Sequence, residues 1–138
     1  MAQQFERRFI NDYIRENLID RHYQVRQWLG KLPAGSEDAV NQPIGRWADL
    51  IVFDPFSVTI IEAKLYPDPK AIGQLEVYSQ MFVQTPRFQQ YWKLPIKKVL
   101  LTTRLDDDIK TSADLHNIEY KIFRPSWIEF WEKRKFRL

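Results

Sequence analysis

No cysteine occurs among the 138 residues. That absence excludes a disulfide framework, a thiolate zinc site, a cysteine-ligated iron–sulfur cluster and a cysteine nucleophile. Histidine is almost as scarce: His22 and His116 are the only two, far apart and in no ligand spacing such as HxxxH, which argues against zinc. If a metal is bound, carboxylates and a hard cation are the remaining pairing. Long apolar runs are missing too. The opening MAQQFERRFI is not a signal peptide, and no segment approaches the roughly 18 to 20 apolar residues that span a bilayer, so the expectation is a cytoplasmic protein with no membrane partner. Internal repeats, low-complexity tracts and linkers are also absent.

The chain is 44% hydrophobic and 14% aromatic, enough for one substantial core, and residues 1–138 are read as a single domain. A net charge of +3 and a pI near 9.2 suit a polyanionic partner. The excess of 21 basic over 18 acidic residues is mild, however, and charge alone identifies no nucleic-acid binder.

From Gln3 to Ile19, Phe5, Phe9, Ile10, Tyr13, Ile14 and Leu18 recur at helical spacing and predict an amphipathic helix. His22 to Trp28 reads as a first strand. Residues 30 to 45 hold three of the four glycines and two prolines, the composition of a long loop. Two β-branched apolar runs follow, Trp47 to Phe53 and Val58 to Leu65, joined by Asp54-Pro55-Phe56-Ser57 as a hairpin turn. Both faces of this pair are largely apolar, which places it mid-sheet under cover on two sides. A helix over Lys70 to Val83, a strand Val99 to Thr103, a helix around Asp106 to Leu115 and a strand Ile118 to Phe123 come next. A final helix is expected with Ser126 as its N-cap. The order α-β-β-β-α-β, then α-β-α, implies an α/β fold with a mixed central sheet flanked by helices.

The chemistry concentrates in the hairpin. If Phe53 pairs with Val58, the register carried outward sets Asp49 opposite Glu62 and Trp47 opposite Lys64. Directly opposed carboxylates repel, and buried ones are costly unless paired or bound to metal. With alternating side chains, Glu62 and Lys64 share the face of Asp49. A divalent cation would resolve the conflict, since Mg²⁺ binds through one or two carboxylates with water and substrate phosphate, and Lys64 would then reach the nucleophile and the phosphate. The same acids would equally serve to neutralise Lys64 and Arg46 in a buried salt-bridge cluster.

Gly45-Arg46-Trp47-Ala48-Asp49, Ile61-Glu62-Ala63-Lys64 thirteen residues on, and Gly73-Gln74-Leu75-Glu76-Val77-Tyr78 together resemble the D…ExK…QLxxY pattern of the PD-(D/E)XK nuclease superfamily. The similarity is to RecB-type nuclease domains and archaeal Holliday-junction resolvases. It covers about residues 45 to 82, and the element order extends it loosely over most of the chain. The resemblance implies a restriction-endonuclease-like core, with Asp49 and Glu62 as Mg²⁺ (or Mn²⁺) ligands and the Ala63 carbonyl as a further ligand. It also implies Lys64 as the catalytic lysine and Gln74 directed at the site. Ala48 departs from the proline of the family name, at a position that varies in such nucleases. Gln74 reads equally well as a solvated helix glutamine, and Tyr78 as core packing.

Many members supply an acid from the first helix. Phe9, Ile10 and Tyr13 fall within about 60° of Glu6 on a helical projection, so Glu6 is centred on the apolar face and is the expected third acid. Glu16 lies nearer the edge. A salt bridge to a core-edge arginine is the other use for Glu6. Arg46 and Lys70 flank the site in sequence and are the expected nucleic-acid contacts. Arg7-Arg8, Lys97-Lys98 and Lys133 to Arg137 could follow a phosphate backbone or form a solvated surface. Trp127, Trp131 and Phe136 could stack on bases, though for the two tryptophans helical spacing favours packing or a dimer contact. Asp106-Asp107-Asp108 suits a helix start.

Two functions follow. One is a metal-dependent nuclease acting on DNA, as a homodimer or within a larger nucleoprotein complex. The other is a catalytically silent nuclease-fold protein serving as a nucleic-acid-binding or structural assembly subunit.

Overall fold

The computed structural model describes residues 2–30 and 46–136. The expected loop over residues 31–45 and the end of the basic tail at Arg137 lie outside them. Helix α1 (Ala2–Asn17) leads into strand β1 (His22–Trp28), then β2 (Trp47–Asp54) and β3 (Ser57–Lys64). Helix α2 (Lys70–Phe82) and a kinked 3-10 segment (Pro86–Tyr91) cross to β4 (Ile96–Thr102). Helix α3 (Asp107–Leu115), strand β5 (Ile118–Ile122) and helix α4 (Ile128–Phe136) complete the order. Among the described residues no helix is long and apolar enough to cross a membrane.

The five strands lie in sequence order in one sheet. β1 and β2, and β2 and β3, pair antiparallel, while β3–β4 and β4–β5 are parallel. The sheet is therefore mixed, with the acidic hairpin at its centre. Pro55 and Phe56 form the hairpin tip, since Asp54 already pairs with Ser57. The Arg21 guanidinium clamps Asp54 at 2.6 Å.

Two cores cover the sheet. α1 and the start of α4 pack Phe9, Tyr13, Trp127 and Ile128 against Leu50, Val52, Ile61, Ala63, Val99 and Leu101. On the other face, α2, the 3-10 segment and α3 bring Leu75, Tyr78, Phe82, Phe88 and Ile109 against Ile51, Phe53, Val58, Ile60 and Leu100. The continuous apolar runs are explained by this double burial.

The structure departs from the sequence reading at several points: α1 ends at Asn17 rather than Ile19, and β4 begins at Ile96 rather than Val99. The segment Pro86–Tyr91 has no helical periodicity, and Phe88 holds it to the core. α4 begins at Ile128, whose N–H is taken by the Pro125 carbonyl rather than by Ser126. Ahead of α2, whose N-cap Pro69 makes no side-chain cap, Asp68 accepts the Lys70 N–H at 2.9 Å. Asp106 caps α3 through the Ile109 N–H, with Asp107 and Asp108 in the first turn, where acids complement the helix dipole.

Candidate active site at the fork of the sheet

The β2–β3 ladder follows the expected register from Asp54↔Ser57 to Leu50↔Ile61 and then stops. Beyond that pair β2 remains joined to β1 as far as Trp28↔Trp47. β3 remains joined to β4 as far as Lys64↔Thr102. The sheet thus forks, and the next residues outward on its two arms are Asp49 and Glu62. They are not a ladder pair, as strict continuation of the register required. Instead the Asp49 carboxylate reaches across the fork and accepts the Ala63 N–H at 2.9 Å.

The fork coincides with a slip in the side-chain alternation of β2. Ala48 lies in the same core as Ile51 and Phe53, whereas Leu50 and Val52 belong to the opposite one. Residues of opposite parity cannot share a face in a regular strand, so the alternation shifts between Ala48 and Ile51. On β1 the residue facing this shift is Arg26, with φ at 47°, a left-handed conformation uncommon outside glycine. The consequence is that Asp49 lines a groove beside α1 together with Glu6.

Glu62 is only 3% exposed. Lys64 approaches one of its oxygens at 3.8 Å, and the other, Oε1, has no hydrogen-bond partner among the described residues. Burial pushes its pKa up to about 9; the Asp49 carboxylate adds to the rise, and Lys64 and the Asp49 backbone oppose it. The arrangement is two neighbouring carboxylates with an ammonium at their edge, and the nearby negative charge makes ionising Glu62 harder. Tyr78 is packed in the core as expected, and its hydroxyl pKa is raised by burial and then by the charges of Glu62 and Asp49. Gln74 is half-buried with an unpartnered Oε1, so it is not a solvated surface amide.

Glu6 is half-buried on α1. Its pKa is raised by desolvation, lowered by Lys64, and raised by Asp49 and Asp68, which ties it to this same region. Glu16 is exposed. Among the described residues no three Asp, Glu or His side chains converge closely enough to hold a metal ion, so Glu6 stands back from the Asp49–Glu62 pair. A buried and a half-buried acid side by side, with one oxygen unpartnered among the described residues, nevertheless fit a hard divalent cation, which would supply the positive charge the carboxylates lack. The donor set is oxygen-only.

Arg46 makes no ion pair with either acid among the described residues. Its guanidinium lies along Gly30, where an added Cβ would meet it at 3.2 Å, and near Met81. Lys70 is exposed at the start of α2. Lys98 is engaged by Glu76 and by the His116 carbonyl, which removes it from the basic surface. Trp127 is buried and donates its Nε1–H to Asp12 at 2.6 Å. Trp131 and Phe136 pack against Tyr66. These three aromatics are packing residues rather than base-stacking ones.

Two groups near the site escaped the sequence reading. Asp68 follows a Pro67 that looked only like a strand terminator, and Arg26 sits in a strand whose pattern gave no sign of a kink.

No family model and no curated protein matches the chain. Among solved structures it is similar to an EndoMS–dsDNA complex, with a TM-score of 0.53 and 14% identity over 87% of this chain and 45% of that one. It is also similar to a repair endonuclease from Pyrococcus abyssi, with a TM-score of 0.52 and 16% identity over 84% of this chain and 46% of that one. The chain spans less than half the length of either neighbour. The likeness defines the fold: a restriction-endonuclease-like α/β core with a mixed sheet between helical layers.

Proposed function

We propose that this chain is a divalent-metal-dependent nuclease of the PD-(D/E)XK type that hydrolyses phosphodiester bonds in DNA. The observation that carries the reading is the Asp49–Glu62 pair at the fork, Glu62 buried and Asp49 half-buried, with a Glu62 oxygen unpartnered among the described residues and Lys64 at 3.8 Å. A structural role would have left those acids neutralised, and burying an uncompensated carboxylate is costly. The fold shared with endonucleases supports the same reading.

In this proposal Asp49, Glu62 and the Ala63 carbonyl hold Mg²⁺ or Mn²⁺. When bound, such an ion supplies the positive charge that stabilises the phosphorane-like transition state. Lys64 donates hydrogen bonds to the attacking water and to a non-bridging phosphate oxygen, fixing the line of attack and offsetting the developing charge. The Gln74 amide oxygen accepts a hydrogen bond from that water and orients it. Glu6, set back from the pair, takes part in moving the proton away as the water adds to phosphorus. The P–O bond opposite breaks, and the leaving oxygen is protonated from solvent. Lys70 and Arg46 contact the DNA backbone. A catalytic unit of this size obtains its specificity by forming a homodimer or joining a larger nucleoprotein complex.

The test is cleavage of linear, circular and branched DNA with Mg²⁺ or Mn²⁺, by wild type and by Lys64→Ala. The variant is expected to fold and bind metal but to lose at least about 100-fold in rate. Cleavage at the wild-type rate by folded Lys64→Ala would rule out the role given to this lysine. If wild type cut none of the substrates, the chain would instead be a nuclease-fold binding or assembly subunit.

A further inference from the structure

Beside the acid pair, a groove of about 500 Å³ opens between α1 and the β1–β2 arm of the fork, and Asp49 forms part of its wall. Glu6, Arg7, Ile10, Arg26 and Trp47 also line it. Its size is that of cavities that take a small ligand, and its chemistry is not that of a greasy cleft. Arg7 and Arg26 are exposed, and among the described residues neither guanidinium has a carboxylate partner. Trp47 is 39% exposed, although its indole is held in place edgewise by Trp28 at 5.6 Å and has Arg26 over its ring at 5.6 Å.

The backbone gives an independent reason to single out this wall. Arg26 is held with φ at 47° in mid-strand, directly across from Asp49, and the Gln27 amide closes the kink by donating to the Val25 carbonyl. A left-handed arginine in a strand is unfavourable unless its surroundings require it. Here the kink turns the guanidinium into the groove next to the acid that faces it.

We propose that this groove is a nucleotide subsite, which receives one unpaired nucleotide of the substrate strand adjoining the phosphate to be cut. Trp47 stacks on the base, and Arg7 and Arg26 hold the phosphates. The proposal rests on the nuclease reading and narrows its substrate class. Within a duplex, both faces of each base are covered by its neighbours, so only an unpaired or splayed base offers a π face to an indole. Paired guanidiniums flanking an exposed aromatic are the combination that tracks a single strand, with arginine supplying charge and planar stacking together. The substrate is therefore DNA with a single-stranded or splayed segment at the cut, rather than uninterrupted duplex.

The experiment measures binding of the full chain to three fluorescent oligonucleotides by anisotropy, in EDTA so that nothing is cut: a single strand, a splayed-arm duplex and a blunt duplex. Wild type is expected to bind the first two more tightly than the third. Trp47→Ala should weaken single-strand binding by about 10- to 100-fold, and Trp47→Phe should recover most of it. Arg26→Gly tolerates the positive φ, so the fold persists; it should weaken binding and lower the salt slope by about one. Equal binding to blunt duplex and single strand, an unchanged Trp47→Ala, or no binding to any oligonucleotide would overturn the subsite. Cleavage assayed in parallel separates the two readings. Trp47-dependent binding without cleavage sinks the nuclease while the subsite stands, and cleavage indifferent to Trp47 sinks the subsite while the nuclease stands.

Discussion

Glu62 is buried where it has too little positive charge to stay ionised comfortably, and its folded-state pKa is raised accordingly. The native protein therefore binds more protons than the unfolded chain between the unfolded and folded pKa values. Stability of the metal-free protein must fall as pH rises through that window, from about 4.5 towards about 9. Glu6 contributes in the same direction. Glutamine mimics the protonated acid, so metal-free Glu62→Gln should match wild type near pH 5 and exceed it at pH 8. Each tenfold gain in the proton affinity of Glu62 on folding corresponds to about 1.4 kcal/mol, or roughly 5 °C in melting temperature for a chain of this size. Melting curves in EDTA across this range check the point. Parallel profiles for the two proteins would mean that Glu62 is not strained by its surroundings. The residue identities Asp49, Glu62 and Lys64 were all legible in the sequence, because acids and a lysine interrupt otherwise apolar strands. The unpartnered Glu62 oxygen was not legible, since it depends on which neighbours close in around it.

At the level of elements, α1 and α2 are revealed by helical periodicity, and β2, β3 and β4 by apolar runs that the structure buries on both faces. Sequence pattern fails where geometry is set by a partner strand. The fork at Leu50↔Ile61 depends on the kink at Arg26, and nothing in HYQVRQW marks that position for a left-handed backbone. The hairpin register was correct, but the inference that Asp49 and Glu62 form a pair in the ladder assumed that the ladder continues. α1 shows the opposite case. Its apolar stripe correctly places Glu6 inward and Glu16 outward, and the helix is fixed at that rotation by Asp12, which accepts the Trp127 Nε1–H and pairs with Arg15 at 2.7 Å. Glu6→Gln is thus expected to lower cleavage by at least about 10-fold, in keeping with the loss of a proton-transfer group, whereas Glu16→Gln leaves it unchanged. Initial rates for the two variants on one DNA substrate decide the matter, and equal effects would remove Glu6 from the mechanism.

For the whole molecule, the site and the fold are coupled through the charge at the fork. On the proposed function, the closeness of Asp49 to Glu62 disfavours folding of the metal-free protein, and a cation held there would favour it. Asp49→Asn separates these contributions without any nucleic acid. Asparagine keeps an oxygen to accept the Ala63 N–H and offers an amide to Glu62 in place of a second negative charge. Among the described residues Asp49 is in no ion pair, so the change breaks none. The metal-free variant should melt at the wild-type temperature or above it. Wild type should gain about 2.7 kcal/mol from Mn²⁺ at a hundred times its dissociation constant, and the variant should lose most of that gain. If the acids served a buried salt-bridge cluster instead, the same substitution would cost about 3 to 5 kcal/mol, and Mn²⁺ would move neither protein. The two cases differ in the sign of the metal-free shift as well as in the response to metal. Marked destabilisation of Asp49→Asn in EDTA, with no Mn²⁺-dependent rise in wild type, would exclude a metal site at the fork.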